Sequence, residues 1–205
     1  MLHSSMTPNE FRGLLRSKTA EEIVDTYILS EDPGPFTTRE DLGLLESQAR
    51  TTFQLQAEHS FSTIVVGSAK LGFSFLEKKT DAYSEPKPAY RKYSPGVSDI
   101  DVAIVSPVLY TRIWQDLARF AAKQVVFPQR TDLAFYMLNG WIRPDKFPAI
   151  APRRCNDWKT MVQKVGRMKP FRFKRLRCGL FYSKYFLQVY QQRGVSAAQE
   201  AEGDQ

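Results

Sequence analysis

The chain has 205 residues, of which 42% are hydrophobic and 25% are charged. This is enough apolar material to bury the core of one domain, so the composition excludes a disordered protein. No apolar stretch approaches the roughly 20 residues of a membrane helix, and the opening residues lack the apolar core of a signal peptide. We therefore expect a cytoplasmic protein without membrane contact.

Two cysteines and two histidines are too few for a zinc site or a disulfide framework, and both cysteines are predicted to be packed thiols.

The first third of the chain carries helix start signals. Thr7 and Thr19 each precede a glutamate by three residues, which is the pattern of a capping box and predicts two short helices. Residues 31–35 contain two prolines and a glycine and should interrupt them. A longer helix is predicted from Thr37 to near His59. Residues 1–36 are accordingly interpreted as an N-terminal helical segment.

Two β-branched runs follow and predict buried strands. The first covers residues 62–66 and ends at Gly67-Ser68, and the second covers residues 99–105. Between them, residues 77–96 are rich in lysine, tyrosine and proline and predict a long loop. This insertion is either a substrate or partner loop or a tolerated surface insertion.

The C-terminal half is less regular. A helix is predicted over residues 109–123, and residues 125–140 fit either a strand over 125–136 or a helix capped by Thr131. Further predictions are a strand over residues 171–181, a final helix over 183–192 and a disordered tail over 193–205. Three tryptophans, namely Trp114, Trp141 and Trp158, are predicted to be core residues.

The positive charge is concentrated in this half. The chain has 29 basic and 22 acidic residues, a net charge of +7, but residues 153–193 contain twelve basic residues and one acid. The densest part, residues 167–177, has six basic residues and no acid. It predicts RNA or DNA binding, with Phe171 and Phe173 available for base stacking. The predicted phosphate contacts are Arg172, Lys174, Arg175 and Arg177. The alternative is a strand with one solvated basic face.

Asp99 and Asp101 are the most informative acidic residues. They are two positions apart on a predicted strand, so their side chains share one face. Carboxylates this close repel each other unless a cation lies between them, and Mg²⁺, which prefers oxygen ligands, is the expected cation. The turn from Gly67 to Gly72 exposes backbone N–H groups that suit a phosphate. The alternative for the aspartates is an exposed or salt-bridged pair.

These two motifs resemble the nucleotidyltransferase superfamily of polymerase beta type. Its signature is G-S-x-x-x-G followed by a strand beginning S-D-[IL]-D, matched here by Gly67-Ser68 with Gly72 and by Ser98-Asp99-Ile100-Asp101. The resemblance covers residues 64–105 closely. It implies an α+β fold with a small mixed β-sheet and flanking helices over residues 37–192. The implied nucleotide-binding residues are Gly67, Ser68, Lys70, Gly72 and Ser98, and the implied ligands of Mg²⁺ are Asp99 and Asp101.

The activity that the resemblance implies is Mg²⁺-dependent transfer of a nucleoside monophosphate from an NTP or dNTP to a nucleic-acid or protein hydroxyl. The catalytic residues would be Asp99 and Asp101, with Asp132 as the third carboxylate. Alternatively, Asp132 occupies the first turn of a helix, where the dipole favours it. By analogy, small members of the superfamily suggest a bacterial toxin, antitoxin or phage-defence component with a protein partner.

Two features depart from the family pattern. Ser68 and Asp99 are separated by the long insertion, and the predicted strand over residues 171–181 contains no acid. The second departure favours a different function, namely a catalytically inactive module of the same fold that binds nucleic acid or a protein partner through its basic face.

Overall fold

The computed structural model describes residues 6–77, 86–123, 126–172 and 174–203. The helices are α1 (Pro8–Ser17), α2 (Ala20–Ile23), α3 (Arg39–Phe53), α4 (Ser68–Leu71), α5 (Pro107–Ala122), α6 (Arg130–Leu138), α7 (Arg153–Gly166) and α8 (Lys184–Gly203). The strands are β1 (Ser62–Val66), β2 (Phe73–Ser74), β3 (Arg91–Lys92), β4 (Asp99–Val105), β5 (Trp141–Ile142) and β6 (Arg175–Phe181). A π-helical turn continues α2, and a 3₁₀ turn follows β5. The fold is therefore of the mixed α+β class.

A mixed four-stranded sheet lies at the centre, in the order β1-β4-β6-β5. Strand β4 runs antiparallel to β1 and parallel to β6, whereas β5 forms a short antiparallel pair with the end of β6. Strands β2 and β3 form a separate two-stranded sheet. The two aspartates lie at the beginning of this central strand, where Asp101 pairs with both β1 and β6 and Asp99 pairs with β6.

The two faces of β4 pack into different layers. Ile100, Val102 and Ile104 belong to a core shared with residues of α3, α5 and α7. Ala103 and Val105 belong to a second core shared with residues of α1, α2 and α8. Asp99 and Asp101 alternate with the first set, so they lie on the second face, at the beginning of the strand.

The N-terminal helices confirm the capping predictions. Thr7 and Thr19 both form complete capping boxes with the glutamates three residues later. Helix α3 has a capping box from Thr38 rather than Thr37, and it ends at Phe53 because Gln54 takes a left-handed conformation. The N-terminal segment is not separate from the domain, since its apolar residues share the second core with α8. Residues 1–5 lie outside the described part.

The C-terminus differs from its prediction. Residues 193–203, predicted to be disordered, instead continue α8 to Gly203. The physical reason is that Val195 and Ala198 are buried in the second core. Near the end of the helix, Glu202 forms ion pairs with Arg12 and Arg16 of α1 and accepts a hydrogen bond from the Tyr90 hydroxyl. Asp204 and Gln205 lie outside the described residues.

The structure describes part of the long insertion and most of the basic segment. Residues 78–85 of the insertion lie outside the described part. Strand β3 pairs with β2, and the Tyr93 ring packs against the Phe36 ring at a tilt of 32°, with 4.1 Å between centroids. The ambiguous region after α5 is helical from Arg130, and the predicted strand over residues 171–181 begins only at Arg175. No helix in the described ranges has both the length and the apolar content needed to cross a membrane.

Candidate functional site

The Gly67-Ser68 turn lies beside Asp101. The last residue of β1, Val66, pairs with Asp101 across the sheet, so the turn leaves the strand next to this aspartate. Gly67 has a φ of +68°, and a Cβ at this position would lie 3.3 Å from Asp101 Oδ2. Glycine is favoured here for two reasons: it takes a positive φ without strain, and it has no Cβ that would crowd the Asp101 carboxylate. The structure thus brings together two motifs that the insertion separates in sequence.

Gly72 closes this turn. Its N–H donates to the Ser68 carbonyl at 2.9 Å, and its positive φ ends α4. Ser98 plays a similar part before β4, because its backbone N–H donates to the Ser94 carbonyl and its Oγ accepts from the Ser94 N–H. Both residues shape the loops that carry the site. Ser98 is nearly buried, and its hydroxyl already serves the 94–98 turn.

Lys70 does not serve the predicted nucleotide site. Its side chain is buried, and its ammonium donates to the Ser30 carbonyl at 3.1 Å, to the Ser30 hydroxyl at 2.9 Å and to the Asp32 carbonyl. These three acceptors match the three N–H donors of an ammonium. Burial lowers the pKa of Lys70, and nearby Asp32 partly offsets this effect. The prediction for Lys70 is corrected: the residue anchors the loop between α2 and α3.

Two arginines on β6 face the aspartates. In the parallel register Asp99 lies opposite Arg175, and Asp101 lies opposite Arg177. The Arg175 Nε is 3.2 Å from Asp99 Oδ1, and the Arg177 Nε is 3.1 Å from Asp99 Oδ2. Asp99 Oδ1 is buried but has no aligned hydrogen-bond donor, so the contact with Arg175 is an ion pair without hydrogen-bond geometry. The cation beside Asp99 is thus supplied by the protein, which is the salt-bridged alternative from the sequence.

These ion pairs are weak enough to exchange. The Asp99 side chain is 19% exposed, whereas the side chains of Arg175 and Arg177 are 60% and 63% exposed. Pairs with such exposed partners contribute about 0–1 kcal/mol each, because water screens the attraction and the long side chains lose rotational freedom. The exposed guanidinium groups can therefore leave Asp99 for another anion, provided that another cation replaces them at the mostly buried carboxylate.

Asp132 is not part of this site. It lies in the first turn of α6, and its Oδ2 accepts a hydrogen bond from the Lys146 ammonium at 2.9 Å. This hydrogen bond lowers the pKa of Asp132. The helical alternative is confirmed, although Thr131 lies within α6 rather than at its cap. Within the described residues, no group of three or more His, Cys, Asp or Glu side chains could hold a metal ion.

The predicted nucleic-acid contacts are largely used within the protein. The Lys174 ammonium donates to the Phe36 carbonyl at 2.8 Å, and Arg175 and Arg177 pair with Asp99. Arg172 is exposed and has a partner of its own. Phe171 is fully buried and cannot stack on a base, and Phe173 lies outside the described residues. Lys174 and Phe171 are therefore used within the protein, and Arg175 and Arg177 lie beside Asp99, whereas the binding of RNA or DNA stays a prediction.

A cavity of about 1130 Å³ connects the site to an aromatic cluster. Gly67, Ser68, Asp101 and Arg177 line it at the aspartate, and Tyr136, Trp141, Arg143 and Tyr190 line it farther along. The Trp141 ring stacks on Phe181, with 5.4 Å between centroids, and the Arg143 guanidinium lies 5.4 Å from the ring centroid of Trp141. Arg143 and Tyr190 were not predicted as residues of the site. Arg143 directly follows β5 and Tyr190 lies on α8, and no local sequence pattern connects these elements with the glycine turn.

The tryptophan predictions have mixed outcomes. Trp158 is a core residue as predicted, with 1% of its surface exposed, but Trp114 is 51% exposed and that prediction is wrong. Trp141 lies between these cases, half-buried at the cavity.

Tyr93 was not predicted from the sequence as a neighbour of the site. Burial of its side chain raises its pKa, and the charges of Asp99 and Asp101 raise it further.

Comparisons of the chain with protein-family models, with curated proteins and with solved structures give no match.

Proposed function

We propose that the chain is a nucleotidyltransferase-like domain that binds the phosphates of a nucleoside triphosphate together with one Mg²⁺. The observation that carries the proposal is the meeting of Gly67 and Asp101, where a glycine Cβ position lies 3.3 Å from the carboxylate. Ser68 and Asp101 line one cavity, which is open enough to admit a ligand of nucleotide size. The motifs that resemble the polymerase beta type therefore form one site despite the insertion between them.

The donor set fits one Mg²⁺. Asp99 and Asp101 supply hard oxygen ligands on one strand face, and Mg²⁺ in proteins commonly uses one or two carboxylates with phosphate oxygens and water. Bound there, the ion would supply charge neutralisation and orientation of the phosphates. The set does not fit two metal ions. The position opposite Asp101 on β6 is Arg177, and Asp132 is paired with Lys146.

The same geometry argues against transfer by this chain alone. An acceptor hydroxyl has to lose a proton, and a carboxylate or imidazole near the reacting atoms normally takes it. The groups across from the two aspartates are guanidinium ions, which stay protonated and cannot act as bases. We therefore propose a binding domain, and a partner would have to supply the missing carboxylate for transfer.

Calorimetric titration with ATP, GTP, CTP, UTP and their deoxy forms, each with Mg²⁺, tests binding. We expect binding by the wild type and at least a tenfold loss in Asp101→Asn, because the carboxylate is a proposed ligand of the ion. Asp157→Asn is a matched control, since it removes one carboxylate charge from α7, and it should bind normally. Equal binding by Asp101→Asn and the wild type, or no binding of any nucleotide, would refute the proposal.

Nucleotidyl transfer is the second candidate function, and the presence of both aspartates beside the glycine turn favours it. The test is incubation with α-labelled NTPs and dNTPs, Mg²⁺ or Mn²⁺, and RNA, DNA or protein acceptors. Label that appears on an acceptor with wild type and Asp157→Asn but not with Asp101→Asn would establish transfer. Nucleotide binding without label would support the binding domain.

A further inference from the structure

We propose that Arg175 and Arg177 are exchangeable ligands. In the empty site they bind Asp99, and in the loaded site they turn to the phosphates of the nucleotide while Mg²⁺ takes their place at the aspartates. The inference rests on the proposed function for the identity of the ligand. It assigns to these arginines a role in the nucleotide site in place of the predicted contact with a nucleic-acid backbone.

The geometry supports exchange because each arginine is held mainly at its charged end. Both Nε atoms lie 3.1–3.2 Å from Asp99, yet more than half of each arginine side chain is exposed. Arg177 also lines the cavity that contains Ser68 and Asp101. A guanidinium binds carboxylate and phosphate oxygens through the same planar fork, so a phosphate in this cavity is a suitable second partner.

Charge balance gives the direction of the exchange. Two aspartates and two arginines are neutral together, so an Mg²⁺ ion alone has to displace cations from Asp99. A nucleotide brings negative charge with the ion and offers the displaced arginines new partners. Metal and nucleotide should therefore each strengthen binding of the other, and by linkage the coupling is the same in both directions.

Lys174 shows that a basic residue of the segment over residues 167–177 can be used for structure instead of exchange. Lys174, directly before β6, is used as a structural donor to the Phe36 carbonyl and is only partly accessible. Arg175 and Arg177 instead project on the face of β4 that carries the aspartates, because alternate residues of a strand share a face. The register therefore selects these two residues for the site.

The central experiment compares wild type with Arg177→Gln, which removes the charge but keeps a polar side chain. Binding of Mn²⁺ alone is followed by the loss of its electron paramagnetic resonance signal, and binding of Mg²⁺–ATP by calorimetry. We expect Mn²⁺ alone to bind about fivefold to tenfold tighter, because a competing cation has gone. Mg²⁺–ATP should bind about tenfold weaker, because a charge-assisted phosphate contact is lost. Both changes should shrink in high salt.

Two further variants make the result specific. Arg153→Gln is the matched control, since it removes an arginine charge at the start of α7, where the side chain is 92% exposed, and neither affinity should change. Arg177→Lys keeps the charge without the fork, so Mn²⁺ affinity should stay near wild type while Mg²⁺–ATP affinity falls. Circular dichroism confirms that each variant is folded.

Opposite changes in the two affinities of Arg177→Gln support exchange. Changes in the same direction, or none beyond those of Arg153→Gln, would show that the arginines are structural. In that case normal Mg²⁺–ATP binding by the wild type and loss in Asp101→Asn would leave the proposed function standing. If the wild type binds neither Mn²⁺ nor any of the eight nucleotides with Mg²⁺, both proposals are overturned.

Discussion

Substitution of Asp99 by alanine should destabilise the protein when no ligand is bound. Considered from the sequence, this change removes repulsion between two carboxylates and would be expected to stabilise the fold. In the structure it removes two ion pairs, at 3.1 and 3.2 Å, and leaves two arginines without that partner. Exposed pairs contribute about 0.2–1 kcal/mol each, so the free energy of unfolding should fall by about 0.5–2 kcal/mol. For a chain of this length the melting temperature should fall by about 1–8 °C.

A double-mutant cycle measures this interaction directly. Urea unfolding of wild type, Asp99→Ala, Arg177→Ala and the double variant gives the coupling energy, which we expect to be about 0.3–1 kcal/mol and smaller in 0.5 M salt. Asp157→Ala, on α7, is the control for loss of a carboxylate from the surface. A higher melting temperature for Asp99→Ala, or single effects that add without coupling, would refute the assignment of Asp99 as the partner of the arginines.

Three further predictions concern residues outside the exchange. Lys70→Met should lower the free energy of unfolding, measured in urea, by about 2–3 kcal/mol, because it removes three hydrogen bonds that hold the loop between α2 and α3, but it should not change the nucleotide affinity of the folded protein. Burial raises the pKa of Cys155 to about 12 and also raises that of Cys178, so a thiol reagent at pH 8 should modify neither in the native protein and both in urea. Asp132→Asn should bind nucleotide normally. The hydrogen bond from Lys146 lowers the pKa of Asp132 in the folded protein. The free energy of unfolding of the wild type should therefore exceed that of Asp132→Asn above pH 3.8, and this difference should disappear as the pH falls through the lowered pKa.

The local part of the site could be predicted from the sequence. The strands that became β1 and β4 are β-branched runs, and their bounds match the prediction because each run satisfies strand geometry along its own length. The common face of Asp99 and Asp101 follows from the period of a strand alone. The capping boxes at Thr7 and Thr19 likewise depend only on residues three positions apart.

Contacts between distant segments could not be predicted in this way. The destination of the Lys70 ammonium depends on a loop forty positions earlier, and the helical C-terminus depends on the arrival of α1 beside Glu202. Trp141 and Tyr190 lie near the aspartates only because β5 and α8 pack around the same cavity. In each case the partner is chosen by packing, which a local pattern does not contain.

The sequence by itself determined that Asp99 and Asp101 begin one strand and that the Gly67-Ser68 turn ends another. Only the tertiary structure decided which side chains face them. Parallel pairing places β6 beside β4, and its register sets Arg175 opposite Asp99 and Arg177 opposite Asp101. A shift of one residue would have moved both arginines to the other face of the sheet. That register is consistent with the burial of Cys178, Leu180 and Phe181 in the second half of β6. The basic segment that the sequence shows is therefore brought beside the aspartates by the packing of its apolar continuation.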